Sequence, residues 1–169
     1  MTDQHLRPMQ QSDLEHVLIW RNQPEVRRWM YSRHEIAMVE HQAWFTSSNQ
    51  NPLRHLLIYQ DQHHALGFAH IQQKVSCPRV ADWGFYLAPD AGKGSGHKLG
   101  EAVLDYAFAN LELHKLCGEV LAHNTRSLKF HQRLGFQQEG VLRENYLDEQ
   151  QYRDVILFGL LKSERSAEV

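Results

Sequence analysis

The chain is 169 residues long and is poor in cysteine, in net charge and in long apolar runs, and each shortage excludes something. Its two cysteines, Cys77 and Cys117, lie forty positions apart. They form no disulfide framework and, with no basic-then-apolar leader at the start, point to core thiols in a reducing cytoplasm. Eighteen basic against twenty acidic side chains leave a formal charge of −2. That balance excludes a broad phosphate-tracking surface, so nucleic acid is not an expected partner and any anionic ligand must be met locally. The apolar runs are too short to span a bilayer as a helix, so no membrane partner is expected. The twelve histidines show neither HExxH spacing nor paired CxxC neighbours, so no metal site is expected. Linkers, repeats and low-complexity tracts are absent as well. One domain is expected over residues 1–162, with 163–169 as a flexible tail.

What is present reads as alternating strands and helices. HLRPM (5–9) predicts a strand, and the following helix takes Ser12 or Asp13 as its cap, with Leu14, Val17 and Leu18 on one face. Pro24 opens one or two short helices that end near Phe45. RHLLIYQ (54–60), ALGFAHIQQK (65–74) and RVADWGFYLAP (79–89) are rich in aromatic and β-branched residues and read as an antiparallel meander. Leu99, Ala102, Val103, Tyr106, Ala107 and Leu111 recur at helical spacing through about five turns. KLCGEVLA (115–122) reads as a buried strand. A helix capped by Asn124 and stopped at Gly135 comes next, and FQQEGVLRENYL and YRDVILFGLL supply two last strands. The expected class is therefore mixed α+β, a mixed, mostly antiparallel sheet of about seven strands with helices on both faces.

The stretch DAGKGSGHKLG (90–100) sets Gly92, Gly94 and Gly96 directly before the long helix. Free N–H groups at a helix start bind phosphate oxygens, and glycine lets backbone and phosphate approach closely. An ordinary surface turn uses glycine equally well. Neither phosphate motif of common spelling fits: a dinucleotide fingerprint would need glycine where His97 or Leu99 stands, and a P-loop would need Ser or Thr where Gly94 follows Lys93.

Ala91-Gly92-Lys93-Gly94-Ser95-Gly96 resembles the Gln/Arg-x-x-Gly-x-Gly/Ala loop of the GNAT superfamily of acetyl-CoA-dependent N-acetyltransferases, departing at its first position. WGFYLAP (83–89) resembles that family's splayed strand. AHNTRSLKFHQRLGF (122–136) resembles its second coenzyme segment. The resemblance implies acetyl-CoA as donor. Its pyrophosphate would lie on the amides of Gly92, Lys93, Gly94, Ser95, Gly96, His97, Lys98 and Leu99, with Lys93 or Lys98 as added cations. Its pantetheine arm would run along Phe85, Tyr86 and Leu87 and touch Asn124 and Ser127. Within the superfamily, the segments LIWRNQPEVRRWMYSRHEI and EHQAWF are similar to the branch that acetylates the 4-amino group of a UDP-linked amino-dideoxy altrosamine in pseudaminic acid synthesis.

Direct attack of an amine on a thioester sets three tasks: base, carbonyl polarisation and protonation of the leaving sulfur. Glu119 is the candidate base, with pairing to a nearby cation as the plainer role. His131 stands where the family often has a proton-donating tyrosine, and Tyr86 is the reserve acid. Amides near Tyr86 and Leu87 would polarise the carbonyl. For the acceptor, Arg21 with Arg27, Arg28 and Arg33 could pair with a diphosphate, and Met30, Tyr31, His41 and Phe45 complete the expected contacts. A nucleotide-sugar acceptor and a monomer or homodimer are expected. A peptide N-terminus or a polyamine is the rival acceptor, and a non-catalytic coenzyme A sensor is the rival from another class.

Overall fold

The computed structural model describes residues 4–165. Seven strands make one sheet: β1 (Gln4–Pro8), β2 (Arg54–Asp61), β3 (His64–Lys74), β4 (Cys77–Leu87), β5 (Lys115–Leu121), β6 (Gln137–Leu147) and β7 (Tyr152–Leu161), in the order β1-β2-β3-β4-β5-β7-β6. Every pair is antiparallel except β4 with β5. That pair is parallel because a helix, α4 (Ser95–Asp105), carries the chain back across the sheet between them.

The sheet is covered on both faces. Along β2, Leu57 and Tyr59 enter one core while Leu56 and Ile58 enter the other, which explains an unbroken apolar run in a strand. The first core packs under α4 and α5 (Thr125–Arg133), with Leu99, Val103, Leu104 and Leu134 against Trp83, Leu116 and Phe158. The second lies under α1 (Leu14–Arg21) and α3 (Met38–Asn49), with Val17, Trp20 and Phe45 against Ile58 and Phe68. A short helix, α2 (Pro24–Arg27), starts on proline as expected.

Three local expectations change. Asp13 does not cap α1 in the forward direction; its carboxylate turns back to accept from the Gln10 amide at 2.7 Å and from Arg7 Nη1 at 2.7 Å. The long helix is not uniform: it widens into a π turn over Tyr106–Asn110, which apolar spacing alone does not distinguish from α. The expected tail begins as a helical turn, α6 (Lys162–Arg165), with Arg165 Nη2 2.7 Å from Glu101 and 2.9 Å from Asp105. Residues 166–169 of that tail lie outside the described residues.

Candidate active site at the forked sheet

β4 and β5 pair only through Val80–Asp82 and Lys115–Cys117, yet β4 continues to Leu87 and β5 to Leu121. Beyond that point each strand keeps only its outer partner: β4 stays on β3 as far as Leu87 and β5 on β7 as far as Leu121. The sheet therefore opens into a fork whose inner edges carry main-chain N–H and C=O groups with no ladder partner. Such edges bind an extended, amide-bearing chain.

The glycine turn stands at the mouth of this fork. Gly94 has φ +89°, a backbone that side chains rarely adopt, and a Cβ on Gly92 or Gly94 would meet nothing within 4 Å. The protein's own packing thus leaves open space over both. The Ser95 amide is used by the Gly92 carbonyl (3.1 Å) and that of Lys98 by Gly94 (3.2 Å). Among the described residues no backbone acceptor takes the amides of Gly96 and His97, the unsatisfied donors of a helix's first turn. Phe85 and Leu87 pack toward α4, and Leu87 lies 3.4 Å from where a Gly96 Cβ would stand. Lys93, His97 and Lys98 are exposed, and His97 is 3.8 Å from Glu101.

Asn124 caps α5 as its sequence suggests, its Oδ1 accepting from the Ser127 amide at 3.2 Å. Its amide NH2 has no partner among the described residues. His131 lies at the floor of the fork, 5 % exposed, stacked on Phe158 and edge-on to Trp83 and Phe136. Its Nδ1 donates to the Ser127 carbonyl at 2.9 Å, and Nε2 would be 2.8 Å from a Cβ on Gly118. Burial pushes the imidazole pKa down, the Ser127 contact opposing, so the ring is neutral at neutral pH. His131, the donor expected from the sequence, thus stands in an aromatic box.

Tyr86 on β4 and Glu119 on β5 belong to the opposite side of the sheet, beyond the point where the two strands part. Tyr86 packs on Phe68 at 5.0 Å, and burial raises its pKa, Arg21 opposing, so the phenol keeps its proton. Glu119 is exposed on β5, and its Oε2 accepts from Tyr31 Oη at 2.6 Å. Burial, then Glu119, hold the Tyr31 proton on well above the usual range. Tyr31 is fixed from behind by Tyr146, whose ring lies 5.3 Å away and whose hydroxyl donates to the Tyr31 and Met30 carbonyls at 3.3 and 3.4 Å.

Tyr146 was not legible in the sequence. Between Leu142 and Tyr146 β6 shifts register against β7, with Glu144 at φ +50° and its amide held by Asp154 Oδ1 at 2.8 Å. This bulge brings Tyr146 to the fork. The run LRENYL carries no mark of it.

Arg21 donates through Nη2 to the Ser32 carbonyl at 2.9 Å, while its Nη1 has no partner. The Nε atoms of Arg27 and Arg33 are likewise without partners, and Arg33 lies over the Tyr146 ring at 5.4 Å. His41 is buried and stacked on Trp44 at 5.1 Å. Phe45, expected to touch an acceptor, instead fills the second core beside Val17 and Ile58, because an apolar ring on the inner face of α3 has no other place to go. Among the described residues no group of three His, Cys, Asp or Glu is placed to hold a metal, and no helix is long and apolar enough to cross a membrane.

A forked sheet, a glycine-led helix with free amides at its mouth and an acid–phenol pair across the gap define an acyl transferase. Residues 5–137 match the model of the acetyltransferase (GNAT) domain, and the chain belongs to that family. It is an acetyl-CoA-dependent N-acetyltransferase. The spermidine N(1)-acetyltransferase of Escherichia coli K12 is 24 % identical, with 96 % of this chain and 88 % of that one aligned. Acetyltransferase PseH of Campylobacter jejuni is 29 % identical over 73 % of this chain and 76 % of its own. A crystal structure of the Vibrio cholerae spermidine N-acetyltransferase with CoA and spermine superposes at TM-score 0.88 and 23 % identity, covering 95 % of this chain and 96 % of that one.

Proposed function

We propose that the chain transfers the acetyl group to the 4-amino group of a UDP-linked amino-dideoxy sugar, UDP-4-amino-4,6-dideoxy-N-acetyl-altrosamine, in the pseudaminic acid branch its sequence resembles. The observation that carries this reading is the set of guanidinium nitrogens without partners on the acceptor side. Of the carboxylates there, Glu119 accepts from Tyr31, Glu40 lies 2.9 Å from His34, and Asp148 is bridged by Arg153. Arg21, Arg27 and Arg33 each keep a nitrogen without a partner. At an effective dielectric of 20, a unit charge about 4 Å from a guanidinium gains or loses about 4 kcal/mol by its sign. A diphosphate gains that energy; a polyammonium loses it.

In this reading the free amides of Gly96 and His97 hold the donor's pyrophosphate, and the open edges of β4 and β5 take its pantetheine amides. Glu119, oriented by Tyr31, accepts the amine's proton through water. Tyr86 gives a proton to the leaving sulfur. His131 orients the floor of the fork and stays neutral.

A polyamine acceptor is the second reading, favoured by the alignment of the Escherichia coli spermidine acetyltransferase over nearly the whole chain. Thiol release from acetyl-CoA, measured with the UDP-4-amino sugar and with spermidine side by side, separates the two. The proposal expects turnover with the sugar to exceed that with spermidine by at least about 10²-fold, near 2.7 kcal/mol. Brisk turnover of spermidine with an idle sugar overturns it.

A further inference from the structure

His70 pairs in register with Gly84, the second residue of β4 beyond its last partner on β5. A Cβ on Gly84 would stand 2.6 Å from His70 Cε1, so the ring lies over the β4 backbone where the fork opens. Continuing the β4–β5 register by two residues sets Gly84 opposite Glu119; His70 and Glu119 therefore flank the opening on one face. The ring is half-buried beside Phe68, and among the described residues neither nitrogen has a hydrogen-bond partner. Neither nitrogen is among the enclosed side-chain atoms that lack a partner, so the ring is open to a ligand at the fork.

We propose that His70 is a specificity-determining hydrogen-bond acceptor that presents the nucleophilic amine to the fork in its uncharged form. The charged and titratable groups of this face are Arg54 on β2, Lys74 on β3, Asp82 and Tyr86 on β4, Cys117 and Glu119 on β5 with Tyr31 bonded to it, Arg21 on α1 and His41 on α3. Burial, then Arg54, push the His70 pKa down to about 4, so the ring remains a neutral acceptor across the working range. A neutral ring next to Arg54 gives an ammonium no compensating charge, whereas a free amine donates one N–H to the ring and aims its lone pair into the fork. As the N–C bond forms and the C–S bond breaks, the amine nitrogen releases a proton to Glu119 through water, and Tyr86 supplies one to the sulfur. Both groups are reset from solvent. The inference rests on the fork as the site of transfer, not on which amine is used.

The test compares the full chain with His70→Gln, which keeps an acceptor that cannot titrate, and His70→Leu, which keeps volume alone. Acceptor kcat/KM, the KM and calorimetric Kd of acetyl-CoA, and pH–rate profiles are measured with the UDP-amino sugar, or with spermidine if the sugar is idle. The expected result is rate within about tenfold of the parent for His70→Gln and about 10²-fold lower for His70→Leu, with acetyl-CoA affinity unchanged. Equal losses in both variants, or no loss in either, overturn the inference. Should His70→Leu fail to bind acetyl-CoA at all, the parent decides: an acid limb at the amine's own NMR-titrated pKa supports the role, and a limb at any other pH contradicts it. An idle sugar with active spermidine ends the proposed acceptor, while the contrast between the two variants still reads out His70.

Discussion

The two faces of the forked sheet are built on opposite principles. Under α4 and α5 the fork is lined by Trp83, Phe85, Phe130, His131 and Phe136, stacked rings that exclude water and leave backbone groups as the chief polar surface. Under α1 and α3 it is lined by Arg21, His70, Tyr86 and Glu119, titratable groups spread over four elements. The first face suits a ligand gripped by main chain, whatever its sequence partners. The second suits a ligand discriminated by charge. A common donor and a particular acceptor require that division.

The sharpest way to break the comparison is on the dry face. Gly118→Ala puts a methyl group 2.8 Å from His131 Nε2, and Trp83, Phe136 and Phe158 leave that ring no room to retreat. Overpacking of this kind costs about 1–3 kcal/mol of stability, and displacement of the fork floor lowers kcat about 10²-fold. Chemical denaturation and steady-state rates check both; wild-type values for both would show that the floor is soft.

Next in size is Gly94→Ala. The residue keeps φ near +89°, and the strain of about 1–2 kcal/mol falls on the turn that offers the free amides. Acetyl-CoA Kd is expected to rise about 5- to 30-fold in calorimetry while acceptor KM stays constant. An unchanged Kd contradicts the role of the turn.

On the charged face the effects are smaller because its contacts are shared. Tyr31→Phe removes the 2.6 Å bond to Glu119 between two exposed side chains, and acceptor KM is expected to rise about three- to tenfold. Acetyl-CoA Kd does not move. A parallel rise in both constants would place Tyr31 in general folding rather than on the acceptor side.

The smallest expected effect is on stability against pH. His41, His70 and His131 all have pKa values lowered by burial, so the unfolded chain binds more protons than the folded one below about pH 6.5. The stability these neutral rings hold is present above pH 6.5 and is lost as pH falls toward the folded values, about 4 for His70. Melting temperature should decline through that window, and less steeply in His70→Gln. Identical slopes would remove His70 from the titration.

The turn on the dry face is written in a few adjacent residues, whereas the charged face is named only in part, through Arg21, Tyr31, Tyr86 and Glu119 but not His70 or Tyr146, for a physical reason. Phosphate binding at a helix start is a local device, so Gly94, Gly96 and the Asn124 cap announce themselves within a few residues. Period-two and period-3.6 patterns likewise set most strand limits within two residues. The charged face arises from register: His70 meets the fork through its pairing with Gly84, and Tyr146 through a bulge in β6, neither of which has a composition of its own. His70 reads in the sequence as one of twelve scattered histidines. Phe45 shows the converse, a residue type suited to ligand contact that the fold has enclosed in its second core.

The most direct test is backbone amide NMR on the ¹⁵N-labelled chain titrated with acetyl-CoA. The account predicts saturable shifts concentrated at Gly94, Gly96 and His97 and along Phe85, Tyr86 and Leu87, with His70 and Glu119 moving only when the acceptor is added. Donor-induced shifts centred away from the β4–β5 fork, with the Gly94–His97 amides unmoved at saturation, would contradict it.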